Sequence, residues 1–434
     1  MSNINVGILG FGTVGSGTAE ILLKNKDIIC RRVGSEISLR KIADLDIQTS
    51  RGLDVDPGIL TTDAMEVIND PDIHIVVELI GGLTKAKDFI LEAMKKGKHV
   101  VTANKALLAE FGEEIYRTAQ DQGVSLAFEA SVGGGIPIIR SLREGLSANR
   151  INTIMGILNG TSNYILTEMT QRGLPYDKTV EGAIALGYAE DPPALDVDGT
   201  DAAHKLAILV SIAFGVPVFF GNIFREGIDK ITPEDIQFAG EFGYCLKLLA
   251  IARNLGDSVE ARVHPTMIPR NHIMANVNGA YNAIYLEGDF VGPNLYYGLG
   301  AGKRPTGSAV VSDIICLARQ IQNGISSLLP PLAHALPHGK GISIQSMEDV
   351  VCPYYFRFPV IDKPGVLAKI SGILGDHEIS LYSVIQKGRK INGSVPVVML
   401  THEAKESNVR KAISLIDQLD VLTDKTMLIR VEEG

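Results

Sequence analysis

The stretch Ile4-Asn-Val-Gly-Ile-Leu-Gly-Phe-Gly-Thr-Val-Gly15 decides the fold of the N-terminal part of the chain. A short apolar run predicts a buried strand, glycines at Gly10, Gly12 and Gly15 follow it, and a helical pattern continues to Asn25. This order is typical of a dinucleotide-binding turn, in which the three glycines permit a tight turn, a close pyrophosphate and close helix packing. The helix N-terminus also attracts phosphate. The alternative is a glycine-rich turn that binds nothing.

Strand and helix patterns alternate after this turn. The runs that predict strands lie at 39–44, 73–79, 99–102 and 125–128, and those that predict helices at 85–96 and 105–122. Such alternation predicts a parallel doubly wound sheet of the Rossmann type.

The predicted second strand ends in side chains of both signs, Arg40, Lys41 and Asp44. A basic side chain at this point would accept the 2′-phosphate of NADP, whereas an acidic one would hydrogen-bond the bare ribose of NAD. We favour NADP because two of the three side chains, Arg40 and Lys41, are basic.

The amino-acid composition limits the classes of protein to which the chain can belong. At 434 residues, with 45% hydrophobic and 21% charged residues, the chain is typical of a soluble globular protein with roughly two or three domains. The net charge of −9 and the lack of a long basic run argue against nucleic acid as a partner. The most apolar stretch, 206–221, is interrupted by Pro217 and is shorter than the roughly 18 to 20 residues of a membrane span.

The cysteines are scattered and form no Cys-x-x-Cys pair; they are Cys30, Cys245, Cys316 and Cys352. This pattern argues against a zinc site and against a disulfide framework. The first residues also lack the basic and apolar segments of a secretory signal. We therefore expect a cytoplasmic protein.

A second stretch, Gly187-Tyr-Ala-Glu-Asp-Pro-Pro-Ala-Leu-Asp-Val-Asp-Gly-Thr-Asp-Ala-Ala-His-Lys205, predicts an acidic loop followed by an apolar helix. Asp201 and Lys205 are four residues apart at the start of that helix, so they share one face. An ammonium that faces loop carboxylates would suit a small zwitterionic substrate. The alternative is a solvated surface ion pair.

Lys105 follows the predicted fourth strand in Val101-Thr-Ala-Asn-Lys105. Ligands of open α/β sheets bind at the carboxyl ends of strands, so its ammonium could reach a cofactor or a substrate. A solvated lysine at a helix start is the alternative.

Two more glycine-rich runs lie later in the chain. Glu129-Ala-Ser-Val-Gly-Gly-Gly-Ile-Pro137 could curl around a hard cation beside Glu129, or it could be a domain hinge. Tyr297-Gly-Leu-Gly-Ala-Gly-Lys-Arg-Pro-Thr-Gly307 precedes a helical pattern, so it could hold an anion such as the cofactor phosphate, or it could be a plain loop.

After Arg150 the pattern of predicted strands and helices becomes α+β in character. A small β-α-β-β-α-β pattern begins near Tyr354. We predict a dinucleotide-binding domain over 1–130 and a substrate-binding and dimerisation domain over 131–328, of which 300–328 returns to the first domain. A linker over 329–350 and a separate module over 351–434 complete the prediction.

These motifs together resemble the homoserine dehydrogenase family in its longer bacterial form, and the tail is similar to an ACT amino-acid-sensing domain. The segments that carry the resemblance are Gly10 to Gly15, Val101 to Lys105, Glu129 to Pro137, Gly156-Ile-Leu-Asn-Gly-Thr-Ser-Asn-Tyr-Ile165, Gly187 to Lys205 and Asp362-Lys-Pro-Gly-Val366. They span nearly the whole chain. The resemblance implies an α/β protein: a Rossmann-like domain, an α+β substrate domain and a ferredoxin-like ACT domain.

The resemblance also implies NAD(P)-dependent hydride transfer between L-homoserine and L-aspartate 4-semialdehyde, and it implies roles for individual residues. The catalytic residues would be Lys205 and Lys105, and the substrate would contact Glu190, Asp201, Asp196 and Gly187. The cofactor would contact Gly10, Phe11, Gly12, Thr13, Val14, Gly15, Arg40, Lys105 and Gly302. A monovalent cation, Na⁺ or K⁺, would lie at Glu129, Val132, Gly134 and Ile136. The loop reads Glu190-Asp-Pro-Pro193 where the family usually has Glu-Ala-Asp-Pro, so Asp191 receives no role.

Regulation and assembly are likewise implied. An enzyme of the biosynthesis of threonine, methionine and isoleucine with an ACT tail would be inhibited by threonine and would form a dimer or tetramer. Deleting residues beyond about 350 should then leave activity and remove the inhibition. Two alternative functions are considered. A semialdehyde dehydrogenase that acylates a thiol would need a cysteine in the active-site cleft, and none of the four cysteines lies in a strand-end or glycine-rich motif. The other alternative is a non-catalytic sensor of cofactor and amino acid.

Overall fold

The computed structural model describes residues 3–189, 192–215, 218–325, 329–334, 343–386 and 394–433. These residues form two compact units, each assembled from stretches that are separated along the chain. The first unit comprises Met1–Gly160, Asp201–Ile223 and Tyr281–Ile342, and the second Thr161–Thr200, Phe224–Ala280 and Ser343–Gly434, within the described ranges. The chain therefore enters and leaves each unit more than once. The domain prediction included such a return only for residues 300–328.

The helices of the described residues are α1 (Thr13–Lys24), α2 (Lys26–Val33), α3 (Ala64–Ile68), α4 (Thr84–Lys95), α5 (Lys105–Asp121), α6 (Ile138–Arg140), α7 (Gly160–Arg172), α8 (Tyr176–Ala185), α9 (Ala194–Val197), α10 (Thr200–Phe214), α11 (Pro233–Glu241), α12 (Lys303–Gln322), α13 (Val366–Asp376) and α14 (Glu406–Ile416).

The strands are β1 (Ile4–Leu9), β2 (Ile37–Ala43), β3 (Leu60–Thr61), β4 (Ile75–Glu78), β5 (His99–Thr102), β6 (Leu126–Ala127), β7 (Ile151–Ile157), β8 (Phe224–Arg225), β9 (Tyr244–Asn254), β10 (Ser258–Pro269), β11 (Tyr281–Gly288), β12 (Gly292–Leu299), β13 (Ser343–Ile344), β14 (Val351–Cys352), β15 (Tyr354–Ile361), β16 (Leu381–Gln386), β17 (Ser394–Thr401), β18 (Ala404–Lys405) and β19 (Met427–Val431). The short strand β13 lies inside the predicted linker and pairs with β10.

The first unit is organised around a parallel sheet in the order β3-β2-β1-β4-β5-β6. Helices cover both faces of such a sheet, so its strands are continuous apolar runs: Val6, Ile8, Ile75 and Val77 are completely buried. The strand order is that of the dinucleotide-binding fold. The predicted Rossmann-like sheet is therefore confirmed.

Helix α12 packs closely against α1 in the same unit. A Cβ atom on Gly17 would lie 2.2 Å from the carbonyl oxygen of Lys303, so this contact requires a residue without a side chain. The first unit also holds an antiparallel set in which β11 pairs with both β7 and β12. Strands β11 and β12 were not predicted from the sequence.

The second unit contains the long antiparallel pair β9 and β10, neither of which was predicted. Strand β19 joins β10 in parallel and continues into the order β19-β15-β17-β16. With α13 and α14, these last strands form the predicted β-α-β-β-α-β module. No helix in the described part of the chain is long and apolar enough to cross a membrane.

Candidate active site

Three charged side chains that the sequence singled out meet in the first unit. Lys205 Nζ lies 2.7 Å from Asp201 Oδ2, and Lys105 Nζ lies 3.1 Å from Asp201 Oδ1. The two oxygens of one carboxylate thus each contact a different ammonium. The side chains of Lys205 and Asp201 are 10% exposed and that of Lys105 is 41% exposed, so Lys105 lies on the more open side of the cluster.

Local structure positions each member of this cluster. Lys205 and Asp201 are one turn apart on α10, and Lys105 is the first residue of α5, whose N-cap Asn104 accepts the amide hydrogen of Leu107. The end of β7 completes the cluster. Leu158 accepts a hydrogen bond from Lys205 Nζ at 2.6 Å through its carbonyl, and Asn159 Nδ2 donates to Asp201 Oδ2 at 2.9 Å.

The electrostatics of the cluster favour an ionised Asp201. Burial acts to raise the pKa of this carboxyl, but the charges of Lys205 and Lys105 and the hydrogen bonds from Lys205 and Asn159 outweigh burial, so its pKa lies well below its usual value. Two ammonium groups thus flank one carboxylate. Such a site can stabilise negative charge that develops on a substrate oxygen.

The glycine turn after β1 has the geometry expected of a phosphate cradle. Gly10 has a positive φ of 98°, and a Cβ on Gly15 would lie 2.0 Å from the carbonyl oxygen of Gly10. At Gly12, by contrast, nothing lies within 4 Å of the corresponding position, so open space adjoins the start of α1. The first amide groups of a helix are available to an anion, and these residues therefore fit the pyrophosphate of a dinucleotide.

Arg40, which was predicted to contact the cofactor, pairs with two carboxylates. Its guanidinium forms ion pairs with Asp70 at 3.3 Å and Asp72 at 2.8 Å, both of which precede β4. Asp70 and Asp72 therefore lie at the amino ends of the parallel strands. The glycine turn lies at the opposite, carboxyl ends. Asp44 lies at the glycine turn instead, and its carboxylate accepts the amide hydrogen of Phe11. These ion pairs hold Arg40 away from the glycine turn, and the preference for NADP, which rested on Arg40 and Lys41, stays a prediction.

Glu78 is a site residue that sequence analysis missed. It is completely buried at the carboxyl end of β4, where Oε1 accepts the amide hydrogens of Ile80 and Gly81 and Oε2 accepts the hydroxyl of Thr102. Burial raises its pKa. Glu78 thereby joins the loops that follow β4 and β5, the second of which leads to Lys105.

The second glycine-rich loop ends at Gly302, the N-cap of α12, which has a φ of 122°. Because α12 packs on α1, Gly302 and the glycine turn belong to the same side of the first unit. Lys303 and Arg304 pair with Glu20 of α1 at 3.4 and 3.2 Å. The predicted role of Gly302 in cofactor binding stays a prediction.

The glycine run after β6 is closely packed. Both carboxylate oxygens of Glu129 accept amide hydrogens at the start of α6, from Ile139 at 2.8 Å and Arg140 at 2.9 Å, and the amide of Glu129 donates to Asp313 at 2.8 Å. Burial raises the pKa of Glu129, and burial with the nearby Glu129 charge raises the pKa of Asp313 to about 7. The described residues contain no cluster of His, Cys, Asp or Glu that could hold a metal ion. The backbone-bound cation at Val132, Gly134 and Ile136 stays a prediction.

Gly187 and Asp196, which were predicted to contact the substrate, belong to the second unit. Glu190 and Asp191 lie outside the described residues. Gly187 has a positive φ of 73°, and the carbonyl of Asp196 accepts the hydroxyl of Ser162. Thr161 also donates to the carbonyl of Tyr188 at 2.5 Å. Neighbouring hydroxyls of α7 thus hold two separate points of the 187–200 segment.

Family models match most of the chain. Residues 10–129 match the model described as homoserine dehydrogenase, NAD binding domain, and residues 137–315 match the model described as homoserine dehydrogenase. A homoserine dehydrogenase of Pseudomonas aeruginosa is 44% identical over 434 residues, which cover 100% of both chains.

Solved structures agree with these matches. A homoserine dehydrogenase from Thiobacillus denitrificans is 47% identical, with a TM-score of 0.93 over 99% of this chain and 98% of that chain. A hyperthermophilic archaeal homoserine dehydrogenase in complex with NADPH is 28% identical, with a TM-score of 0.62 over 72% of this chain and 97% of that chain.

Proposed function

Because the chain belongs to the homoserine dehydrogenase family and is thus an NAD(P)-dependent oxidoreductase, we propose that it interconverts L-homoserine and L-aspartate 4-semialdehyde. The observation that supports this reaction most directly is the cluster in which Asp201 contacts both Lys205 and Lys105. A carbonyl reduction needs a proton donor and positive charge at the reacting oxygen, and this cluster contains both.

Lys205 is the general acid in semialdehyde reduction and the general base in homoserine oxidation. Its Nζ gives a proton to the oxygen that becomes the hydroxyl, or removes that proton in the reverse direction. When bound, the nicotinamide ring supplies or accepts the hydride. Asp201 and the carbonyl of Leu158 fix the direction of the ammonium, which keeps the proton aimed at one point.

Lys105 contributes the second positive charge. Its ammonium is the more exposed of the two and contacts Oδ1 of Asp201 at 3.1 Å. This arrangement leaves the side chain able to contact the substrate oxygen while Asp201 holds its position. The two ammonium groups together stabilise the alkoxide character of the transition state.

The other binding roles are part of the same proposal. Gly10, Phe11, Gly12, Thr13, Val14, Gly15 and Gly302 hold the dinucleotide, and Glu190, Asp196 and Gly187 bind the amino-acid part of the substrate. The open position at Gly12 and the packing at Gly15 support the cofactor assignment. Asp44 beside the glycine turn is the group to test for ribose recognition.

Domain roles, assembly, regulation and location complete the proposal. The first unit carries the cofactor, the β-α-β-β-α-β module senses threonine, the enzyme is a homodimer or homotetramer, and it works in the cytoplasm. The fold of the module supports a sensing role. The cysteine pattern and composition support the location.

Steady-state kinetics tests the proposal. The purified enzyme is given L-homoserine with NAD⁺ or NADP⁺, and aspartate semialdehyde with each reduced cofactor, while the absorbance of the reduced cofactor is followed. We expect oxidation and reduction without added phosphate, and inhibition by threonine in a parallel series. No turnover with either cofactor would favour a sensor, and a requirement for phosphate would favour an acylating dehydrogenase.

A further inference from the structure

Asn282 contacts the same backbone atom as Lys205. It lies on β11, is completely buried, and donates from Nδ2 to the carbonyl oxygen of Leu158 at 3.0 Å. Lys205 Nζ donates to that oxygen at 2.6 Å. One carbonyl therefore receives two side-chain donors, one from α10 and one from β11.

The amide of Asn282 also packs against the second glycine-rich loop. A Cβ on Gly300 would lie 2.1 Å from Cγ, 2.2 Å from Nδ2 and 2.4 Å from Oδ1 of Asn282. Glycine at 300 is thus required by the amide. A Cβ on Gly134 would in turn lie 2.5 Å from the carbonyl carbon of Gly300. Asn282 fills the space between the lysine cluster and this loop.

The amide has an uneven set of partners. Its Oδ1 is buried and has no hydrogen-bond partner among the described residues, whereas its Nδ2 is satisfied by Leu158. A buried acceptor without a partner destabilises a fold, and an apolar side chain of similar size would avoid that cost. The benefit of asparagine at 282 therefore lies in its donor group and in what that donor holds.

We propose that Asn282 is a positioning residue for Lys205. Its Nδ2 holds the carbonyl of Leu158 in the direction that receives the ammonium, and its contact with Gly300 connects that direction to the glycine-rich loop before α12. This inference rests on the proposed role of Lys205 in proton transfer. Asn282 does not itself take or give the proton.

The groups around Lys205 among the described residues determine what a substitution at 282 will change. Two are charged: Asp201 faces Lys205 from α10, and Lys105 lies across Asp201 on α5. The neutral groups are the carbonyl of Leu158, which Lys205 contacts, Asn159, which contacts Asp201, and Asn282, which contacts the same carbonyl from β11. An aspartate at 282 would place a carboxylate beside the carbonyl oxygen of Leu158, which the ammonium of Lys205 also contacts. Its negative charge would favour the protonated form of Lys205.

The experiment compares Asn282→Ala and Asn282→Asp with Asn294→Asp, a charge-matched control on the neighbouring strand β12, and with Lys205→Ala. Asn294 donates to the carbonyl of Gly292 at 3.2 Å, within its own strand. We expect Asn282→Ala to lower kcat on the order of tenfold with little change in KM for homoserine. In Asn282→Asp, the rise of kcat with pH should occur about one pH unit higher. Asn294→Asp should match the wild type.

Gly300→Ala provides a second test, since its methyl group would displace the side-chain amide while residue 282 remains asparagine. It should lower kcat as Asn282→Ala does. The kcat of the double variant Gly300→Ala/Asn282→Ala should be no lower than that of either single variant, because the added methyl group would occupy the space that the asparagine amide left. Wild-type kcat and pH dependence in both Asn282 variants, with Lys205→Ala inactive, would overturn the inference alone. An active Lys205→Ala would overturn the proposed role of Lys205.

Discussion

Lys205 and Asp201 form a largely buried ion pair one helical turn apart on α10, with Nζ 2.7 Å from Oδ2 and both side chains 10% exposed. An i, i+4 pair of this kind is usually a surface feature of little energetic consequence. Here the end of β7 and the ammonium of Lys105 enclose it. The pair is therefore held in one geometry, as the proposed proton transfer to a bound substrate requires.

Lys205→Ala should lower kcat by at least about 10²-fold in both directions, because it removes the proposed proton donor and acceptor. Cofactor affinity, measured by fluorescence titration, should be unchanged. Lys24→Ala is the matched control, since Lys24 is also the C-terminal member of an i, i+4 pair but is 66% exposed. Wild-type turnover in Lys205→Ala would exclude this residue from the mechanism.

Asp201→Asn should destabilise the protein by about 3 kcal/mol, because it leaves Lys205 buried without its carboxylate. Denaturant unfolding measures this loss. Glu113→Gln, which breaks the exposed i, i+4 pair with Arg117, should cost less than about 1 kcal/mol. Equal unfolding midpoints for the two variants would show that the Asp201 cluster is no more stabilising than a surface pair.

Two glycine substitutions separate binding from folding in the first turn. Gly12→Ala should raise KM for the cofactor with little change in thermal stability, because its methyl group would enter open space where the pyrophosphate is expected. Gly15→Ala should lower the melting temperature strongly, since its Cβ would lie 2.0 Å from the carbonyl oxygen of Gly10. An unchanged cofactor KM in Gly12→Ala would place the phosphates elsewhere.

Glu432→Gln should lower the free energy of unfolding by about 2 kcal/mol, because it removes one of the two carboxylates, Glu432 and Glu260, that pair with the buried Arg262. Glu432 also pairs with Arg253. The neighbouring Glu433 is exposed, and Glu433→Gln should be within about 0.5 kcal/mol of the wild type. Chemical unfolding of both variants measures the difference, and equal midpoints would contradict the prediction.

The same contacts change the expected result of deleting the tail. Strand β19 pairs with β10, so removal of residues beyond about 350 would also remove Glu432, one of the two carboxylate partners of Arg262. We now expect the deleted protein to be destabilised as well as insensitive to threonine. Point substitutions in the module are the cleaner test of sensing.

Asp313 should make stability fall as pH rises. Its pKa of about 7, raised by burial and by Glu129, means that the folded protein keeps a proton that the unfolded chain loses near pH 4. Stability should therefore decrease between about pH 4 and about pH 7, by at most about 4 kcal/mol. Asp313→Asn should flatten this dependence, and Asp27→Asn, whose side chain is 71% exposed, should not.

The unfolding midpoint against pH is the measurement, repeated in Na⁺, K⁺ and a bulky organic cation. A small cation bound beside Glu129 would stabilise the ionised carboxylates and reduce the slope. The same slope in wild type and Asp313→Asn would show that Asp313 titrates near its usual value in the folded protein.

The sequence by itself determined the features that depend on near neighbours. The apolar run and glycine spacing at 4–15 specified a strand, a turn and a helix, and the four-residue spacing of Asp201 and Lys205 placed them on one helix face. Both follow from backbone periodicity, which acts within a few residues. The β-α-β-β-α-β module was readable for the same reason.

Only the tertiary structure decided which distant residues meet. Lys105 and Lys205 share one carboxylate, Asn282 shares a carbonyl with Lys205, and Arg40 is engaged by Asp70 and Asp72. The β11 and β12 strands, missed in the sequence, supply one of these contacts. Such contacts depend on which strands and helices pack together, and local spacing carries no information about that packing.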